Sequence, residues 1–140
     1  MQRFTELRVW AQSHALALAI YKATGEFPTE ERFGLVSQVR RAAVSVAANI
    51  AEGSKRQSNR DYGHFLNLAE GSVAEVEELV MLSRDLGLLT AETAAELLER
   101  ADHVARVLAT LRTRVLKGVE SEPPRSTRDA RRSTGRESGR

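Results

Sequence analysis

From Gln38 to Gly53 the chain reads QVRRAAVSVAANIAEG, and between Ala42 and Ala51 only Ser45 and Asn49 are polar. At about 3.6 residues per helical turn, Gln38, Arg41, Ser45, Asn49, Glu52 and Arg56 fall on one narrow stripe. Between Ala42 and Ala51 the rest of the circumference is Ala, Val or Ile. A surface helix is apolar on one side only. This pattern therefore predicts a helix buried from more than one direction.

The same periodicity predicts three more helices. The first runs Glu6 to Thr24, with Thr5 as its cap and Phe4 and Val9 at staple spacing. Gly25 is expected as a left-handed stop, and Pro28 blocks continuation. Leu7, Trp10, His14, Leu18 and Tyr21 form one stripe on it, and Val9, Leu16 and Ile20 form another on the opposite side. One stripe enters the subunit core. The other needs a partner, and we assign Val9 and Leu16 to contact with a neighbouring subunit. The second helix is expected from Glu30 to Lys55, capped by Thr29, with Gly34 making its start irregular. The third begins at a Ser58/Asp61 capping box and stops at Gly87, with mid-helix Gly71 marking a close backbone approach. The fourth runs Ala91 to Lys117, capped by Thr90 and ended by Gly118. Four helices joined by short loops give an all-α, antiparallel up-down-up-down bundle over residues 1–117. Residues 118–140 are rich in Pro, Ser, Gly and Arg, and are expected to be a disordered basic tail.

Composition narrows this further. Hydrophobic residues make up 41% but aromatics only 5%, a mix that suits closely packed helices. With no cysteine there is no disulfide or thiolate metal site, and a reducing, cytoplasmic compartment is expected. No run approaches the roughly 18 apolar residues of a membrane span. Charge is uneven along the chain: net +4 over residues 1–60, −5 over 61–116 and +3 over 117–140. Such asymmetry either neutralises itself between helices or offers a basic surface to a polyanion.

Catalytic chemistry finds little support. His14, His64 and His103 do not supply the paired Glu-x-x-His motifs of di-metal bundles, so no metal, cofactor or small-molecule substrate is expected. A Gly-x-Ser-x-Gly elbow and phosphate-binding glycine loops are absent. Arg60 and His64 approach the Arg/His spacing of some helical ribonucleases but are one residue short. The polar stripe on the second helix reads as a hydrogen-bond network to Asn67, Glu75 and Glu78, with a ligand site as the alternative. The candidates for binding nucleic acid are Arg40, Arg41, Lys55, Arg56 and Arg60. In a symmetric assembly such a cluster becomes a ring that neutralises several phosphates at once.

The strings Phe27-Pro28, Glu31-x-x-Gly34-Leu35, Ser37-Gln38-x-Arg40-Arg41-Ala42, Ser45 and Asn49-Ile50-Ala51-Glu52-Gly53 resemble the bacterial four-helix bundle proteins known as the 23S ribosomal RNA intervening-sequence family. Phe65-Leu66, Ala69, Gly71-Ser72, Glu75, Leu7-x-x-Trp10 and Tyr21 fit the same pattern. The resemblance implies a ring-like homo-oligomer, commonly a homopentamer. It also implies similarity to the accessory variability determinant of diversity-generating retroelements, a basic barrel that binds RNA or DNA and a reverse transcriptase. Three roles follow as expectations: a non-catalytic nucleic-acid-binding ring, a protein–protein interaction module, or a metal-independent ribonuclease. Residues 1–116 carry a net charge of −1, so the first role requires the charge to be segregated in space.

Overall fold

Four α-helices account for most of the residues that the computed structural model describes, 3–121: α1 (Arg8–Thr24), α2 (Ser37–Ser54), α3 (Asn59–Asp85) and α4 (Ala91–Ser121). No strand occurs among them. The chain enters α1 through a 3-10 turn, Phe4–Glu6, closed by the Leu7 amide donating to the Phe4 carbonyl at 3.0 Å. That turn takes up Thr5, so Leu7 occupies the N-cap position and no side chain caps α1. The ring of Phe4 instead meets Trp10 edge-on at 5.4 Å, and Trp10 stacks on His14 at 5.0 Å. The expected left-handed stop at Gly25 is also corrected, because its φ is −62°.

The start of the second helix is more broken than its periodicity suggested. A 3-10 turn, Thr29–Glu31, leads into a π-turn, Arg32–Val36, with a non-helical Gly34 at φ −101° and ψ −109°. A Glu31 carboxylate oxygen accepts from the Leu35 amide at 3.5 Å and caps the turn from inside. Regular α2 therefore begins only at Ser37 and is about 27 Å long. The other two starts follow the sequence. Ser58 Oγ accepts from the Asp61 amide at 3.1 Å, and Thr90 Oγ1 accepts from the Thr93 amide at 3.1 Å. Gly87 supplies the left-handed residue after α3, with φ +79°. Gly118 does not end α4, which continues to Ser121. Residues 122–140, most of the expected disordered tail, lie outside the described residues.

One core joins all four helices. Leu16 and Ile20 from α1, Val46 and Ile50 from α2, Leu66 and Val76 from α3, and Ala101 and Leu108 from α4 are fully buried in it. The assignment of Val9 and Leu16 to a neighbouring subunit is thereby overturned: they are 3% and 0% exposed within a single chain. The opposite stripe is divided: Leu7 and Trp10 are half-buried against the core, while Leu18 is 61% and Tyr21 45% exposed. Two stripes of similar hydropathy cannot be ranked by periodicity, whereas Ser13 and Thr24 tip the choice. Their hydroxyls donate to the Val9 and Ile20 carbonyls at 2.7 and 2.8 Å, so both can be buried without an orphaned polar group.

Glycines set how closely the helices meet. A Cβ on Gly53 would stand 2.6 Å from Phe65 Cβ, and one on Gly63 would stand 2.7 Å from Leu116 Cδ2. Gly71, expected to mark a close approach, faces open space. Leu108→Ala is expected to cost about 2–5 kcal/mol, measured by denaturant unfolding. Leu16→Asp is expected to abolish the cooperative thermal transition rather than merely dissociate an oligomer.

Candidate nucleic-acid interface

The polar stripe of α2 meets α3 through one hydroxyl pair. Ser45 Oγ lies 2.9 Å from Ser72 Oγ. Asn49 Nδ2 donates back to the Ser45 carbonyl at 2.9 Å and to its hydroxyl at 3.0 Å. Glu52 pairs with Arg56, four residues on in the turn that follows α2, at 2.8 Å. The expected partners Asn67, Glu75 and Glu78 are exposed, and the crossing bond goes to Ser72 instead. Gln38, Arg41, Ser45 and Glu75 line a hollow of about 380 Å³ above this pair.

The five candidate basic residues separate into two groups. Arg40 is half-buried and committed within the bundle. Its Nε donates to Thr24 Oγ1 at 2.9 Å, one Nη donates to the Tyr21 carbonyl at 3.2 Å, and the guanidinium lies 4.4 Å from the centre of the Tyr21 ring. It clamps the end of α1 to the start of α2. Arg41 is exposed on the same half of α2. Lys55, Arg56 and Arg60 gather at the turn between α2 and α3, where Lys55 lies over the Phe4 ring at 5.3 Å and Arg56 over Phe65 at 4.6 Å. All three are exposed, and Lys55 and Arg60 have no ion-pair partner among the described residues.

Four contacts show what surrounds this turn. Lys55 reaches Phe4, Gly53 abuts Phe65, Gly63 abuts Leu116, and Gly118 sits against Asn59. The beginning of α1, the end of α2, the beginning of α3 and the end of α4 therefore share one end of the molecule. Residues 3–14, 46–72 and 106–121, which form that half, carry nine Lys/Arg and five Asp/Glu. Residues 15–45 and 73–105 carry six and eleven. Charge that looks nearly balanced in a sum is thus separated along the long axis. Arg114 and Lys117 of α4 join the basic half. Sequence reasoning missed them because it placed them inside the fourth helix but could not set the register of that helix against α3. The ion pair between Arg112 and Glu70 bridges α3 and α4 within this half.

The remaining titratable groups serve other ends. Gln12 Nε2 donates to His103 Nε2 at 2.9 Å across α1 and α4, and Gln12 Oε1 is left buried without a partner among the described residues. His64 meets Phe65 edge-on at 5.7 Å. Burial raises the Tyr62 phenol above its ordinary pKa. The Glu77 carboxyl is raised first by burial and then by the Asp102 carboxylate across the α3–α4 seam. Among the described residues no group of three or more His, Cys, Asp or Glu is placed to hold a metal ion, and no helix is long and apolar enough to cross a membrane.

Residues 5–110 match the profile of the 23S rRNA-intervening sequence protein family. Among solved structures the chain is similar to a protein of unknown function from the S23 ribosomal protein family of Bacteroides thetaiotaomicron VPI-5482, at 24% identity and a TM-score of 0.67. That alignment covers 74% of this chain and 96% of the other, and it shows a shared fold. No curated protein matches.

Two outcomes follow from this geometry. Gly53→Ala is expected to destabilise the protein by about 1–3 kcal/mol, because the new methyl meets a Cβ that cannot swing away. Glu77→Gln is expected to raise the melting temperature at neutral pH. Its raised carboxyl binds protons more readily folded than unfolded, so the native state is penalised above that raised value. The gain fades as pH falls through the raised value and is gone below the ordinary carboxylate pKa of about 4.3, which thermal melts across pH would show.

Proposed function

The chain belongs to the 23S rRNA-intervening sequence protein family, and from that premise we propose that it is a non-catalytic, self-associating bundle that offers its basic end to nucleic acid. Its helices run alternately up and down, and copies meet side by side in a ring. Five copies, and a reverse transcriptase as a further partner, are what similarity to the accessory determinant of diversity-generating retroelements would add. The cytoplasm is the compartment this role requires.

The observation that carries the reading is the separation of charge along the molecule. The described chain has no basic excess overall, yet Lys55, Arg56 and Arg60 stand together on its basic half. A phosphate backbone is bound chiefly through such clusters, with release of counterions. Glu52 neutralises part of Arg56, so Lys55 and Arg60 supply most of the free charge. Arg41 lies on the other half and contributes only where a strand runs the length of α2. Arg40 contributes least, because its guanidinium already holds Thr24 and Tyr21. No aromatic platform for reading bases accompanies the cluster, since Phe4 and Phe65 lie beneath the cations, so binding is indifferent to sequence.

Self-association rests on outward apolar side chains that one chain leaves uncovered, among them Leu18 and Tyr21 of α1 and Val44 of α2 at 47% exposure. The same face supports a protein-binding module without nucleic acid as the second reading. A salt titration against generic RNA and DNA separates the two. Binding is expected at about 50 mM salt and should weaken as salt rises. Lys55→Ala with Arg60→Ala is expected to lower affinity at least tenfold and to flatten the salt slope by about two. No binding at low salt would leave the protein-binding module.

A further inference from the structure

At the basic end the seam between α1 and α4 opens into a groove of about 520 Å³, within the roughly 300–1,000 Å³ of small-ligand sites. Leu7, Val107 and Leu111, all half-buried, give it an apolar floor. Exposed Arg8, Arg106 and Arg114 stand around that floor, and no acidic residue lines it among the described residues. Arg106 pairs with Asp102, while Arg8 and Arg114 have no ion-pair partner among the described residues. The other polar groups of the walls are engaged. Gln12 bonds His103 at 2.9 Å, and the Thr110 hydroxyl donates to the Arg106 carbonyl at 3.1 Å.

The groove adjoins the basic cluster. The Leu7 amide donates to the Phe4 carbonyl at 3.0 Å, and Lys55 lies over the Phe4 ring at 5.3 Å. One turn of chain thus joins the floor of the groove to Lys55. The apolar side chains offered to self-association lie elsewhere: Tyr21 sits against Arg40 of α2 and Val44 is on α2, whereas the groove is on the α4 side of α1.

We propose that this groove receives one unpaired base of a single-stranded nucleic acid, with Arg8 and Arg114 holding the phosphates to either side of it. The proposal rests on the reading that the basic end binds nucleic acid, and it names the state of the strand. Cations alone take any polyanion. The apolar floor adds a second demand, a flat apolar face that leaves water as the phosphates dock. A duplex keeps its bases stacked inside, so it meets the rim and leaves the floor wet. A single strand offers both, an anionic link and an unpaired base beside it. The tail of the same chain is the wrong occupant, because residues 122–140 carry six Arg against three acids and are repelled by the rim. With an aliphatic floor and engaged walls, the groove separates unpaired from paired bases without reading which base it holds.

The test titrates the full chain at about 50 mM salt with one labelled oligonucleotide in three forms: single-stranded, annealed to its complement, and carrying abasic sites that keep every phosphate. The single strand is expected to bind about tenfold tighter than either of the others. Val107→Ser thins the floor without changing charge, and is expected to narrow that difference by about threefold, with circular dichroism confirming the fold. Arg8→Gln with Arg114→Gln touches only exposed positions, and is expected to weaken the single strand more than the duplex. Equal affinity for the three forms would overturn the groove while leaving the basic end as a binding surface. A single-strand preference untouched by both variants, or full displacement of the strand by an equimolar acidic, leucine-containing peptide, would overturn it too. No binding of any form would overturn both readings.

Discussion

The contact between Gly53 and Phe65 is the constraint on which the basic end depends. The last turn of α2 lies so close to the first turns of α3 that no Cβ fits between them. The connection from Lys55 to Ser58 can then be short, and short means that Lys55, Arg56 and Arg60 are held together rather than spread along a loop. A second glycine repeats the device one layer further, where Gly63 admits Leu116 of α4. Two missing methyl groups thus bring three helix ends to one place. Burial does the rest: the Val, Leu and Ile side chains behind them fill one continuous core.

Above that core the polar groups are sorted by what they can satisfy locally. Ser13, Thr24 and Ser83 are buried because each hydroxyl returns a hydrogen bond to a carbonyl one turn earlier. Arg40 is drawn inward because two acceptors and an aromatic face await its guanidinium. The cations left over are those with no acceptor nearby, and they are the ones free to meet a polyanion. The proposed binding role is thus one of subtraction. The positive charges that structure does not consume are available for binding.

Much of this was legible in the sequence. Ser58 and Thr90 announced two helix starts, Gly87 announced a stop, and Gly34 announced a break. Each of these is a local event, decided by a residue's own backbone preference or by a hydroxyl reaching three residues ahead. What could not be read was which neighbour arrives where. Gly71 and Gly53 look alike along the chain, yet only Gly53 has a side chain pressing against it. Val9 and Leu16 looked as fit for the outside as Leu18 and Tyr21. The basic cluster was legible as a list, but its surroundings were not. Charge was summed along the chain, whereas the separation runs along the molecule, across four segments distant in sequence.

The only tryptophan of the protein lies against His14, with Phe4 at its edge and Lys55 over that same Phe4. Trp10 is therefore a natural optical gauge of this corner, readable without any attached dye. Its emission would register any displacement of the chain's first turn when something settles on the neighbouring cations.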